Sequence, residues 1–556
     1  MVRHNLKKCF VCDFETTTNE NDCRVWGWGL YDIFSDIFIY GNTINSFFEN
    51  IFSLPDKSKL YFHNLKFDGE FIFYYLFNNG FKHNKERKLN NYEFSTLITY
   101  MGIFYSINIM YEEREYYIYD SLKIIPLSVK EISNTFELEQ KKGEIDYIKF
   151  REVGYILNED EIGYLKNDVE IVGKALLYFF EQNLNKMTQA SNAFKDYKKI
   201  ISSKKFDKLF PKLINDSELR QSYKGGFTYV NPKYQNKIIK NGIVLDVNSL
   251  YPSIMYYNKL PYGEPIFYDG NYKDDKIYNI YIQIFSCNFE LKKGYIPTIQ
   301  LKNNLSFQPT EYAINSKGID VIMCLTNIDI ELFFKHYDVY NIEWFSGWKF
   351  KSTDKLFKDY IDKWLSIKEE STKIDNKGMR TLAKFMLNTL YGKFGLNPIV
   401  KNKIPIFNNE LVKYVMGETS KRESVYIPVA SFITSYARNI TISSGQKNIE
   451  RFIYADTDSL HLIGIEEPKN LLIDDIKLGY WKVENRFTKA KFLRAKSYIE
   501  EIEGKLHITC AGLPKKCQQD ITFDNFKDGL VVSGKLQHKR VKGGVILKEV
   551  DFTIKM

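Results

Sequence analysis

Residues 452–461, FIYADTDSLH, put two carboxylates one residue apart between two apolar runs. Phe452, Ile453 and Tyr454 read as the end of a buried strand, and Leu460 and Leu462 resume the apolar pattern on a returning one. Asp456, Thr457 and Asp458 are therefore expected to make a tight turn. Like charges this close raise each other's pKa unless a cation lies between them. The turn is either left in water, where Asp is a common turn residue, or built into a divalent-metal site.

Other acidic strand ends favour the metal. In GIVLDVNSLYP, Asp246 closes an apolar strand where the chain must turn into a helix, a position that suits a helix cap or a carboxylate aimed at a neighbouring hairpin. Downstream, LAKFMLNTLYGKFG places Lys384, Asn388, Tyr391 and Gly392 at helical steps of four and three on one polar face, with Lys368 one helix earlier. Two acidic turns beside a basic helix face are what nucleotidyl transfer requires, because metals stabilise the attacking and leaving oxygens while cations neutralise a triphosphate.

A separate acidic set lies near the N-terminus. In VCDFETTT, Asp13 and Glu15 alternate with Phe14 and so share one strand face. In YFHNLKFDGEF, Asn64 and Asp68 follow another apolar strand, and in IGYLKNDVEIV, Tyr164 and Asp168 are one helical turn apart. Four carboxylates and a tyrosine from three segments suit two metals and a positioned water for phosphodiester hydrolysis.

The totals are compatible with both sites. At 556 residues the chain outgrows a single core, so two or more domains are expected. The net charge of +9 permits a polyanionic partner without requiring one. The aromatic content of 16% is discounted as a functional signal, because Lys, Asn and Ile are inflated with it, as AT-rich coding produces. No apolar stretch approaches the roughly 20 residues of a membrane span. MVRHNLKKCFVCDFE shows no signal-peptide core, so a cytoplasmic protein is expected. Seven scattered cysteines argue against a disulfide framework, and the Cys9–Cys12 pair lies in what reads as a buried strand rather than a zinc or redox site.

The first block closes with a helix marked by Ile162, Leu165, Val169, Val172, Leu176 and Phe179. The Lys-rich stretch NAFKDYKKIISSKKFDK then reads as a linker or boundary. Residues 356–395 read as two helices joined at DNKG, KNKIPIFNNE as a polar stretch, and the segment from 511 as short strands carrying the basic cluster KLQHKRVKGG.

In order along the chain, CDFET, HNLKFDG and YLKND resemble the three exonuclease motifs of family B DNA polymerases. DVNSLYP, KFMLNTLYG and YADTDS resemble their three polymerisation motifs, and YKGGF and KSY (496–498) those of the protein-primed, φ29-type branch. The resemblance implies an α/β (α+β) chain with an RNase H-like 3′–5′ exonuclease domain over 1–188. A right-hand polymerase domain would follow over 189–556: palm 189–257 and 427–510, a first insertion 258–355, fingers 356–395, a second insertion 396–426 and thumb 511–556. The insertions would contact a terminal priming protein and close a tunnel around DNA, giving a processive, strand-displacing, proofreading enzyme. It would work as a monomer in the cytoplasm of an infected bacterium, with Mg²⁺ (Mn²⁺ substituting) and dNTPs and without a membrane.

By position, the resemblance implies that Asp246, Asp458 and the Val247 carbonyl hold the polymerase metals, with Asp456 in support. Tyr251 would underlie the incoming sugar and exclude a 2′-hydroxyl, Lys368 and Lys384 would hold the triphosphate, and Asn388 and Tyr391 would line the nascent pair. Lys496 and Tyr498 would grip the primer, with Tyr454 among the DNA contacts, while Tyr223, Gly225 and Gly226 would couple the domains. In the exonuclease, Asp13, Glu15, Asp68 and Asp168 would be ligands, Tyr164 would orient water and Lys142 would assist cleavage. His63, Asn64, Phe67, Phe71, Ser121 and Leu122 would hold a single-stranded end. Glu144 stands where the family often has Asp in the same KG-acid context and is counted with the candidate metal ligands. The stretch between Tyr498 and Cys510 is shorter than in the family, and the turn between Lys368 and Lys384 is longer. A D-x-D glycosyltransferase would explain only FIYADTDSLH, and a silent DNA-binding scaffold would not need two complete acidic sets.

Overall fold

A computed structural model describes residues 8–86, 88–301 and 312–555. Among these residues, eight strands form an N-terminal mixed sheet. At its centre Cys9–Thr16 runs parallel to Ser58–Phe62, which runs parallel to Arg114–Asp120. Parallel neighbours need crossovers, and the helices Ile44–Ser53 and Leu65–Asn78 lie in them. The Glu159–Glu181 helix packs across Cys9–Thr16 and Val25–Asp32. It starts in a capping box between Asn158 and Glu161, with three acidic residues in its first turn, as the helix dipole favours.

A second, fully antiparallel sheet of seven strands occupies the middle of the chain, in the order Lys505–Cys510, Ser497–Ile502, Trp481–Arg494, Ile238–Val247, Ser459–Ile463, Phe452–Asp456 and Thr228–Val230. The helix Ile427–Lys447 packs beneath it and is buried on most of its circumference. The shortened stretch after Tyr498 is a two-residue hairpin, with Glu503 and Gly504 at φ 50° and 72°, the geometry that matches strand twist.

The span 258–355 holds a four-stranded sheet and the helix Asn327–His336, with 302–311 outside the described residues. The expected helix pair is Lys358–Lys373 and Lys377–Thr389. KNKIPIFNNE is not merely a polar stretch: it forms most of the first strand of a hairpin, Ile399–Asn408 with Leu411–Lys421. The last hairpin, Val531–Val541 with Gly544–Thr553, packs on the Leu65–Asn78 helix. There Arg540 pairs with the fully buried Glu70 at 3.0 Å and covers the ring of Tyr414.

The Lys-rich segment is not a linker. It forms the helices Gln189–Ile201 and Ser203–Leu209, whose Ala193, Tyr197, Ile201 and Phe206 are buried in the largest core cluster. The lysines lie outward and mask that stripe in the composition.

Candidate active sites

In the central sheet, Asp246 pairs in register with Ser459, and the Val247 amide donates to the Asp458 carbonyl oxygen at 2.9 Å. Two segments more than 200 residues apart are thereby locked together with their carboxylates on one cavity of about 960 Å³. Thr457 makes the turn possible by taking a left-handed φ of 57°. Gly226 is required beside it, because a Cβ there would meet Thr457 Oγ1 at 2.7 Å. Burial and the charge of Asp458 push Asp246 up to about 6, and burial raises Asp458 as well.

Lys368, Lys384, Asn388, Tyr251 and Tyr391 line the same cavity, as the helical spacing predicts. The Tyr251 and Tyr391 rings stack 4.2 Å apart. Lys368 is held below the ordinary lysine range by burial and by the charges of Arg380, Lys384 and Lys482. Four charged lining residues escaped the sequence reading: Lys377, Arg380, Lys482 and Glu484. Extending the Lys384–Asn388–Tyr391 steps back by four and three finds Arg380 and Lys377. Lys482 and Glu484 are two apart on a strand and so share a face.

Asp456 is set differently. Its oxygens accept from the Lys496 ammonium at 2.9 and 3.1 Å and from Thr228 Oγ1 at 2.9 Å, so it is bound up beside the cavity rather than facing it. Tyr454 is fully buried and offers no surface to DNA: its hydroxyl accepts from the Lys496 amide and donates to Asp456. Tyr498 is half-buried against it. The Gly225 carbonyl accepts from Arg438, and the Tyr223 ring lies against Gly395.

The N-terminal acidic residues also converge. Burial, then the charge of Asp168, pushes Asp13 up to about 7. Glu15 and Asp68 are raised well above the carboxylate range by burial and next by Asp13. Asp168 is raised by burial while Lys142, bound directly to its Oδ2, opposes the shift; its buried Oδ1 has no hydrogen-bond partner. Lys142 also donates to the Tyr164 hydroxyl at 3.0 Å. Tyr147, absent from the sequence-level set, reaches the same hydroxyl at 3.0 Å. Glu144 is exposed on the loop between them.

Asn64 adopts a left-handed φ of 79°, with its amide donating to Asp120. Asp120 also accepts from the Leu122 amide and was not foreseen. His63 Nε2–H donates to the Leu127 carbonyl oxygen at 2.8 Å, and Nδ1 lies 2.9 Å from the Ser121 hydroxyl; burial lowers its pKa. Two expected DNA contacts are corrected here. Ser121 is buried and orients His63, and Phe71 is fully buried beneath Gly544, where it backs the half-exposed Phe67.

Among the described residues, no three His, Cys, Asp or Glu side chains close a metal cage by themselves. The donors nonetheless fit a hard divalent cation. Mg²⁺ is held by one or two carboxylates and completes its shell with water and substrate phosphates, and both clusters keep carboxylates whose mutual repulsion a cation would relieve.

The chain matches the family model "DNA polymerase type B, organellar and viral" over residues 50–153 and 148–475. It is 44% identical over 584 residues to the DNA polymerase of Bacillus phage phi29, covering 100% of both chains. It is 33% identical to that of Streptococcus phage Cp-1, covering 98% of each. The fold matches phi29 DNA polymerase in its ternary complex with primer-template DNA and incoming nucleotide with a TM-score of 0.93 at 43% identity, over 99% of this chain and 100% of that one. The single-strand complex of the same enzyme matches with a TM-score of 0.91. The chain belongs to the type B DNA polymerases of the organellar and viral group, among the phi29-type phage enzymes.

Proposed function

We propose that this chain is a phage replicative DNA polymerase that extends a primer at the Asp246–Asp458 cavity and edits the 3′ end at the N-terminal cluster. It starts on a protein hydroxyl offered by a terminal priming protein and then displaces the non-template strand as a processive monomer in the infected cell. The observation that carries this is the register pairing of Asp246 with Ser459, which joins two carboxylates to a cavity walled by Lys368, Arg380 and Lys384.

Asp246, Asp458 and the Val247 carbonyl would hold Mg²⁺, or Mn²⁺ in its place, which when bound stabilises the attacking and leaving oxygens. Lys368, Lys384 and Arg380 neutralise the triphosphate and the departing pyrophosphate. The Tyr251 ring, fixed by its stack on Tyr391, lies under the sugar and leaves no room for a 2′-hydroxyl. Lys496 and Tyr498 hold the primer end.

In the editing site Asp13, Glu15, Asp68 and Asp168 would hold the metals, while the Tyr164 hydroxyl, fixed by Lys142 and Tyr147, orients the attacking water. Asn64, Phe67 and Leu122 receive the unpaired end. Base stacking on an aromatic ring is worth about 1–3 kcal/mol, comparable to the cost of melting a mismatched terminus, so mismatches partition here preferentially.

The test is primer extension on circular single-stranded DNA with Mg²⁺ and dNTPs and no accessory proteins. Products longer than one circle are expected; products that stop at one circle would remove strand displacement from the reading. Unprimed initiation that needs an added priming protein would separately test the protein-primed start.

A further inference from the structure

The segment 134–147 connects the two sites. Asn134 and Thr135, the end of the Val129–Thr135 helix, line the Asp246–Asp458 cavity although they belong to the N-terminal unit. Phe136 follows and packs on the tip of the helical hairpin: a Cβ on Gly378 would meet its Cδ1 at 2.9 Å. Glu137 turns the chain with a φ of 53° and pairs with Lys377 at 3.0 Å. The Leu138 amide donates to the Ser133 carbonyl oxygen, and the buried Ser133 hydroxyl donates to the Gln140 carbonyl oxygen at 2.6 Å. Two residues on, Lys142 meets Tyr164 and Asp168. A second link runs through the Glu159–Glu181 helix, which carries Tyr164 and Asp168. Its Tyr178 hydroxyl donates to Asn376, the N-cap of the fingertip helix, at 3.4 Å, and its ring meets Phe136 edge-on.

From this we infer that the seat of Gly378 on Phe136 positions Lys142 in the editing site, so that the fingertip of the polymerase unit governs the rate of 3′-end cleavage. Phe136, Glu137 and Ser133 are positioning residues that act through Lys142. The segment is short and is hydrogen-bonded back to its own helix, so a shift at Phe136 is carried to Gln140 rather than absorbed by slack chain. Displacing the fingertip should loosen the Lys142 contact without touching the residues that receive the single strand.

The inference rests on the editing role proposed above, and degradation of a template-free single-stranded oligonucleotide by the full-length enzyme with Mg²⁺ separates the two. If the parent enzyme degrades nothing, the editing reading fails. With an active parent, Gly378→Leu is expected to lower kcat about fivefold or more with KM for the oligonucleotide unchanged, and Gly378→Ala to fall between. In a double-mutant cycle, Gly378→Leu added to Lys142→Ala should cost no further rate, since the positioned group is already gone. Should Gly378→Leu misfold by its melting profile, the alanine variant carries the same cycle. Cleavage within twofold of the parent in the folded variants, or an equal loss with and without Lys142, would overturn the inference.

Discussion

The Val247 amide donates to the Asp458 carbonyl oxygen across 2.9 Å, so the strand that ends in Asp246 and the turn that carries Asp458 are one rigid piece. The two backbones cannot part without breaking that bond. That constraint suits the pair to the cation proposed above and carries a cost when none is bound.

Asp246 is raised to about 6 from an ordinary 3.8, so between those pH values the folded chain retains a proton that the unfolded chain releases. The contribution of Asp246 to the metal-free stability therefore falls as pH rises through that window. Asp246→Asn is expected to raise the melting temperature in EDTA at pH 7 by about 1–2 °C, to lose that advantage below pH 4, and to lose it again in millimolar Mg²⁺. Thermal melts of both proteins at the two pH values check this; a destabilised variant at pH 7 in EDTA would count against the pair.

Arg380 and Lys384 share the outward face of the Lys377–Thr389 helix and line the cavity. A charge-assisted hydrogen bond to phosphate is worth about 1.5–3 kcal/mol. Arg380→Ala and Lys384→Ala should each lower kcat/KM for dNTP about 10- to 100-fold while leaving single-strand degradation intact. Steady-state incorporation of one nucleotide measures it.

Tyr251 stacks on Tyr391 with 27° between the ring planes, which fixes a flat wall of the cavity where the proposed function puts the sugar. Tyr251→Val should narrow the preference for dNTP over rNTP about 10-fold or more, on the scale at which small pocket changes alter specificity. The ratio of kcat/KM for the two nucleotides is the measurement.

Burial and next the charge of Asp13 hold Asp68 well above the ordinary carboxylate range. Replacing both Asp13 and Asp68 with Ala should abolish 3′–5′ degradation, leave extension rates unchanged, and raise stable misincorporation about 10-fold or more. Extension from a mismatched primer followed by product sequencing checks both halves.

Both acidic clusters were legible because their carboxylates sit at strand ends and in helical steps, which short-range periodicity reports. Asp13 with Glu15, Tyr164 with Asp168, and the Lys384–Asn388–Tyr391 face all fall where the spacing predicts. Long-range packing was not legible. Phe71 and Phe67 look equivalent in HNLKFDGEF, and only the C-terminal hairpin, more than 400 residues away, decides that Phe71 is covered. Tyr454 is likewise claimed by Lys496 from the turn of another hairpin. Residues 189–209 misled because lysines outnumber the buried residues they flank. Lys482 and Glu484 reach the cavity only through strand pairing with Asp246 and its neighbours.

The most direct test of two separate centres is one variant assayed in both reactions. Asp458→Asn should lose primer extension by several orders of magnitude while degrading single-stranded DNA at the parental rate, because its ligands are not shared. Loss of both activities in a protein with an unchanged melting profile would contradict the two-centre assignment.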